Sequence, residues 1–213
     1  AGATGARWGA DTNRGVFRTT DAGLSWEKVL YINDNTGISD LLVHPDGETI
    51  FASAWEQRRN AWAHVRQGPN SGLYRSKDAG TSWEKITSGL PEDKAGRIAL
   101  ACAESRPEVI YACYEHDSLG LFRSDDKGES WKNVNNLVNT SYWYGRIYVD
   151  PTDPDHVYIM GVFIQESRDG GKSFAPINPG RGVHVDHHVL WIDPSDTDQK
   201  YLGNDGGFYI TED

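Results

Sequence analysis

Apolar runs of strand length alternate along the whole chain with short polar turns rich in glycine and aspartate. Gly15-Val16-Phe17-Arg18-Thr19 and Trp26-Glu27-Lys28-Val29-Leu30 are rich in aromatic and β-branched residues and flank one such turn, which predicts a hairpin. Ile38–Val43, Thr49–Trp55, Gly72–Ser76 and Trp83–Ile86 then follow as four strands joined by turns. The same order returns as Arg97–Ala103, Val109–Tyr114, Gly120–Ser124 and Trp131–Val134, and again as Arg146–Val149, His156–Met160, Val162–Ser167 and Ser173–Ile177. A last, incomplete set runs through Val189–Ile192, Gln199–Gly203 and Gly207–Thr211. Ile98-Ala99-Leu100-Ala101-Cys102 is small and apolar throughout, as a strand buried on both faces must be, whereas Trp83-Glu84-Lys85-Ile86 alternates like a half-exposed outer strand.

The turn between the third and fourth strands of each set repeats as Ser/Thr-x-Asp-x-Gly-x-Ser-aromatic, with its aspartate at Asp21, Asp78, Asp126 and Asp169. A fifth copy begins at Thr211-Glu212-Asp213. Repeats of roughly 40–50 residues built from strands predict a β-propeller. The expected fold is therefore all-β: four-stranded antiparallel blades in an incomplete arc. We place a partial blade at 1–36, full blades at about 37–91, 96–138 and 144–180, and a second partial blade at 184–213, all in one propeller segment. The aspartates read as turn-makers, since a catalytic or metal-binding carboxylate has no reason to recur once per repeat. Glycine supplies the positive φ of the turn and the closing aromatic plugs the space between sheets.

Composition narrows the function. A formal charge of −10 with no Lys/Arg run disfavours phosphate-tracking nucleic-acid binding, and no apolar run approaches a membrane span. The chain opens mid-pattern and stops inside a motif, so we expect an excerpt whose propeller is completed by the rest of a longer chain or by a partner chain. Its missing leader therefore fixes no compartment. Cys102 and Cys113 lie on successive strands; two buried thiols are favoured over a cross-strand bridge, whose geometry suits disulfides poorly.

The repeated turn resembles the Asp box of BNR-type propellers, a grouping that includes sialidases, xyloglucanases and the sortilin ectodomain. The chain is most similar to bacterial sortilin-like BNR-repeat proteins labelled glycosyl hydrolases, through Arg14-Gly15-Val16-Phe17-Arg18-Thr19-Thr20-Asp21, Gly68-Pro69-Asn70-Ser71-Gly72-Leu73-Tyr74, Val183-His184-Val185-Asp186-His187-His188 and Gly203-Asn204-Asp205-Gly206-Gly207. This resemblance covers the whole chain and implies an extracellular or periplasmic setting and carbohydrate-related chemistry. It implies no particular activity, because enzymes and binders share the Asp box.

Two stretches break the repeat, and ligand recognition is expected there. The connection from Trp55 to Gly72 carries Trp55, Arg58, Arg59, Trp62 and His64, rings and guanidinium groups suited to sugar or peptide recognition. Equally, it folds over a neighbouring blade with its tryptophans as anchors. The second is His184-Val185-Asp186-His187-His188, which aligns with Tyr142-Trp143-Tyr144-Gly145-Arg146 and with the segment before Arg97, all at strand entrances near a channel mouth. His184, His187, His188, Trp143, Arg97 and Arg146 are thus candidate ligand contacts for a polysaccharide or a protein segment. Strand alternation puts His184, Asp186 and His188 on one face and His187 on the other, so these three are a weak metal set beside the preferred reading of a hydrogen-bonded polar rim.

No cofactor motif, P-loop or nucleophilic Ser or Cys is recognisable. The arginine clamp of sialidases is only partly echoed, since Arg97-Ile98-Ala99 and Arg146-Ile147-Tyr148 lack the Arg-Ile-Pro entrance, and spacing assigns no Tyr–Glu pair. Glycoside hydrolysis with paired carboxylates is the alternative function, with Asp186, Asp205 and Glu115, and also Asp117, as the weak catalytic candidates.

Overall fold

The structure, a computed structural model, describes residues 1–117, 120–136, 144–177 and 182–211. Trp143 and the fifth motif copy at Asp213 lie outside the described residues. The chain divides into two compact units, Ala1–Ile98 and Ala99–Asp213. Every sheet is antiparallel and none closes on itself.

In the first unit, β1 (Gly2–Ala3), β2 (Gly15–Arg18) and β3 (Glu27–Leu30) form one sheet. β4 (Thr36–Val43) and β5 (Ile50–Glu56) begin the next. A two-stranded ribbon of β6 (Arg58–Arg59) and β7 (His64–Val65) interrupts it before β8 (Gly72–Ser76) and β9 (Glu84–Lys85) complete four strands in the order β4-β5-β8-β9. Val16 of the first sheet and Ile38, Ala52 and Ala54 of the second meet in one core, closed over by Tyr74 and by Trp83, the aromatic of its turn motif. The long irregular connection is thus an insertion between the second and third strands of an otherwise regular blade.

The second unit opens with β10 (Ile98–Cys102), β11 (Ile110–Tyr114), β12 (Leu121–Ser124) and β13 (Lys132–Asn135) as one four-stranded meander. β14 (Arg146–Val149), β15 (Val157–Met160), β16 (Ile164–Ser167) and β17 (Ala175–Ile177) make a second. β18 (His187–Asp193), β19 (Asp196–Asn204) and β20 (Gly207–Thr211) make a sheet of three. Tyr111, Cys113 and Leu121 pack onto Ile147, Val157 and Ile159, and Tyr158, Met160 and Ile164 pack in turn onto Leu190, Ile192 and Leu202. Each fully buried side chain of this size contributes roughly 1.5–3 kcal/mol of hydrophobic stabilisation. The stacking of meander on meander is the blade arrangement that the repeat predicts.

Both cysteines are free thiols. Cys113 is buried in the core, and burial, reinforced by Glu104 and Glu108, pushes the Cys102 thiol up to about 11. Cys102 is therefore no reactive thiolate at neutral pH.

The repeated turn shows why its residues recur. The Asp78 carboxylate accepts from the Ser82 N–H at 2.8 Å, the Ser82 hydroxyl at 2.6 Å and the Ser76 hydroxyl at 2.8 Å. Ser76 Oγ in turn accepts the Gly80 N–H at 2.8 Å. The same bonds form around Asp21, Asp126 and Asp169. Two consecutive residues, not glycine alone, take positive φ: Ala22 and Gly23, Ala79 and Gly80, Lys127 and Gly128, Gly170 and Gly171. The glycine takes the positive φ expected of it, and in three of the four copies the carboxylate–N–H bonds hold the non-glycine residue before it in a region it otherwise avoids.

Those bonds, led by the serine hydroxyl and N–H four residues on, hold the Asp21, Asp78 and Asp169 carboxyls down at about 2, from an ordinary value of 3.8. A carboxyl with a depressed folded pKa stabilises the fold fully above its ordinary value and loses that contribution as pH falls towards about 2. Ser167→Ala removes the donor to Asp169 and the acceptor of the buried Gly171 N–H at 2.9 Å. It is expected to cost about 1–3 kcal/mol in urea unfolding at pH 7. Less of this loss should remain at pH 2.5, where Asp169 is partly protonated in either protein; an equal loss at both pH values would refute the carboxylate's role.

Candidate functional site

Both irregular stretches carry built arrangements of side chains, one in each unit. In the second unit the backbone turns sharply before β18, with Asp186 at φ 67°. The Asp186 N–H donates to Val162 O at 3.2 Å and the His187 N–H to Gly161 O at 2.9 Å, which ties this corner to the turn between β15 and β16. Asp205, just after β19, donates its N–H to Asp186 O at 3.3 Å. The ends of neighbouring strands therefore bring the two acidic side chains of the region onto adjoining segments.

Each carboxylate has a partner with a proton to give. The Tyr144 hydroxyl donates to Asp186 Oδ1 in a short hydrogen bond. His188 Nε2 lies 2.9 Å from Asp205 Oδ1. The two rings then stack, Tyr144 on His188, with centroids 5.6 Å apart and planes 22° apart. The bond to Asp186, with partial burial and the charges of Asp186 and Asp205, pushes the Tyr144 phenol up to about 12, so it remains a hydrogen-bond donor at any ordinary pH. The His188 and Asp205 side chains are 40% and 59% exposed, so this row faces solvent. His184 frames it: its N–H donates to Tyr209 Oη at 3.3 Å and its carbonyl accepts Asn204 Nδ2 at 2.6 Å. Gly206 allows the approach, since a Cβ there would sit 2.3 Å from that of His184.

The structure does not bring the weak metal set together. Alternation separates buried His187 from half-buried His188, but His184 to Asp186 lie before the strand, and the positive φ at Asp186 breaks the shared face. His184 Nδ1 is engaged by Val185 O at 2.7 Å, Asp186 by Tyr144 and His188 by Asp205. Among the described residues no group of three or more His, Cys, Asp or Glu could hold a metal ion. His187 is 2% exposed and lies beneath the rim; burial, more than its charged neighbours, lowers its pKa and keeps it neutral. Arg146 is exposed at the start of β14, while Glu115, one residue past β11, is buried.

In the first unit, Trp55 is an anchor. It is buried, its indole N–H donates to Arg66 O at 2.7 Å, and the Arg97 guanidinium lies 5.7 Å from its ring centroid. This holds the base of the β6–β7 ribbon, whose tip is a tight turn from Asn60 to Ala63 carrying Trp62 at 85% exposure. Arg59 pairs across the ribbon with His64 and Arg58 with Val65, so Arg58 lies on the opposite face from Arg59. Arg59 also covers the ring of Trp8 at 5.2 Å. Trp8 and Tyr144 were not singled out as site residues from sequence. Tyr144 sits in the segment that aligns with His184–His188, the signal that could have found it.

No protein-family model matches the chain, and no curated protein sequence does either. Solved structures do. The chain is similar to the GH74 enzyme of Niastella koreensis at TM-score 0.63 and 18% identity, covering 93% of this chain and 31% of that one. The GH74 xyloglucanase of Xanthomonas campestris matches at TM-score 0.60 and 18% identity, over 94% of this chain and 34% of that one. A gluconolactonase of Xanthomonas campestris matches at TM-score 0.57 and 10% identity, over 92% and 64%. At these identities the likeness establishes the fold: the chain is an all-β propeller arc of four-stranded antiparallel blades. It spans about a third of the length of the two GH74 structures.

Proposed function

We propose that this chain is part of an Asp-box propeller of the sortilin-like, glycosyl-hydrolase-like kind. It binds a polysaccharide through the rim at the strand ends and works outside the cell or in the periplasm. The stacked pair Tyr144–Asp186 and His188–Asp205 carries this reading. Aromatic rings offer apolar faces to a sugar ring, and the half-buried Asp186 and exposed Asp205 carboxylates accept its hydroxyl hydrogens, the combination that oriented sugar binding requires. Fold likeness to GH74 enzymes makes a neutral β-glucan such as xyloglucan the first ligand to try.

One observation favours hydrolysis as a second reading. Asp186 and Asp205 sit on adjoining segments, and glycoside hydrolysis uses two carboxyl groups, one to protonate the leaving oxygen and one to activate water or attack. A panel of soluble polysaccharides, read out by retention in affinity electrophoresis and by reducing-end release, tests both. Retention without release is the expected outcome; release abolished by Asp186→Asn would establish the hydrolase, and no retention of any polysaccharide would refute the proposal.

A further inference from the structure

In each unit the motif turn of one sheet is seated on the sheet before it. In the first unit Trp83, which closes the turn between β8 and β9, packs with Val16, Val29 and Leu30 of the sheet β1–β3. Arg18 holds the same turn by donating to Ala79 O at 3.3 Å and Thr81 Oγ1 at 3.0 Å. In the second unit the turn between β16 and β17 sits on the meander β10–β13. A Cβ on Gly171 would meet Leu121 Cδ2 at 2.5 Å, Asn135 Nδ2 donates to Lys172 O at 3.0 Å, and Phe174 packs onto the core that holds Leu121. Val16 and Leu121 each stand three residues before the Thr19 or Ser124 that opens their own motif. The residue three before Ser167 is Ile164, and it lines a cavity of about 710 Å³ between the meander β14–β17 and the sheet β18–β20. Ile177 lines it too, and pairs with Ile164 as Asn135 pairs with Leu121. Buried Leu190 and Leu202 lie opposite, and β20 contributes Phe208 and Ile210, which are 67% and 58% exposed. Among the described residues β20 pairs with β19 alone, whereas β2, β8, β12 and β16, its counterparts, each have a further strand on the other edge.

We infer that this cavity and the outer edge of β20 form a docking site for an extended polypeptide segment of the motif type, Gly-x-Ser-aromatic followed by alternating side chains. Its backbone adds to the edge of β20 and its ring enters the cavity between Ile164 and Leu202. Main-chain bonds to a sheet edge supply affinity, and a pocket for one side chain supplies selectivity. The walls named are aliphatic and aromatic, and a buried ring removes about 150–250 Å² from water. One departure from the earlier sheets bears on how the segment is held. Where Arg18 stands directly before Thr19, Glu166 stands directly before Ser167, and it is bonded by His156 and Arg168 at 2.7 Å each. The segment is therefore gripped by its ring and its backbone, not by an arginine on its turn. It comes from outside residues 1–213 and not from a second copy, because the chain's four complete motifs already close turns in their own sheets. This surface is separate from the polysaccharide rim and stands or falls without it.

Fluorescence anisotropy of a labelled synthetic peptide with the sequence Asp126–Asn135, titrated with the 213-residue chain, tests it. Saturable binding is expected. The same peptide with Trp131→Ala should bind about tenfold more weakly or worse, the scale of one buried aromatic side chain. Leu202→Trp in the protein, which fills the cavity, should weaken the original peptide as much while leaving the near-ultraviolet circular dichroism of a folded chain. A second arm joins the sequence Lys127–Asn135 directly after Asp213, which raises the effective concentration of the segment. This extended chain should unfold at higher urea than the same extension with Trp131→Ala, and that difference supports the site even if the free peptide binds too weakly to detect. Equal binding of the two peptides would show that the cavity takes no ring and overturn the proposal. No peptide binding together with equal urea midpoints for the two extensions would overturn it as well. A dimer in sedimentation that the peptide dissociates would assign the site to a second copy and overturn the source proposed.

Discussion

Arg14→Leu is expected to destabilise the first unit by roughly 3 kcal/mol or more, among the largest single effects in the chain. Arg14 is completely buried, yet it has no carboxylate in hydrogen-bonding contact among the bonds that define its position. Its guanidinium instead donates to the carbonyls of Thr4 at 2.7 Å, Ala6 at 2.8 Å and, at 3.4 Å, Gly9. Burial lowers its pKa while Asp11 and Asp34 oppose the shift, and an arginine stays charged at neutral pH. Leucine would fill part of the volume but leave three part-buried carbonyls without their donor, at about 1–3 kcal/mol for each acceptor that water does not reach. Packing admits little adjustment, since a Cβ on Gly5, at φ 75°, would lie 2.4 Å from Arg14 Cγ. Urea unfolding followed by tryptophan fluorescence should show the loss. An unchanged midpoint would show that the clamp adds nothing.

The second large effect is on binding, with stability spared. Asp186→Asn and Asp205→Asn together are expected to weaken polysaccharide binding at the rim by about 10- to 100-fold, on the scale of one or two lost charge-assisted hydrogen bonds. Asparagine suits this test because Asp186 has positive φ, a conformation asparagine tolerates better than most residues. The backbone corner, held by N–H bonds to Val162 O and Gly161 O, should survive. What changes is charge: Tyr144 and His188 lose the carboxylates that orient them, and a sugar hydroxyl loses its strongest acceptor.

Much of the fold was legible in the chain because strands and turns announce themselves locally. Val16, Ile38 and Tyr74 fall where alternation and aromatic enrichment place them, and Asp78 with Ser76 and Ser82 forms the turn their spacing implies. The site was legible only in outline. Irregularity pointed to 55–72 and 184–188, but Tyr144 meets Asp186 across 42 residues, a contact that no local pattern encodes. Alternation misplaced His184 and Asp186 because one positive φ ended the strand's period early. A charged residue such as Arg14 reads as exposed until three carbonyls converge on it. Trp8 lies outside both irregular stretches, and only the fold brings it to Arg59.

The central claim is that the rim around Tyr144, Asp186, His188 and Asp205 binds a polysaccharide, while the repeated aspartates only build turns. Binding isotherms against the best-retained neutral polysaccharide, measured for the wild-type chain, for Asp186→Asn with Asp205→Asn, and for Asp78→Asn, test it most directly. The account predicts a 10- to 100-fold weaker isotherm for the rim pair, on the scale stated above, and an unchanged one for Asp78→Asn in the folded protein. A rim pair that binds like wild type, or an Asp78→Asn protein that folds but no longer binds, would contradict it.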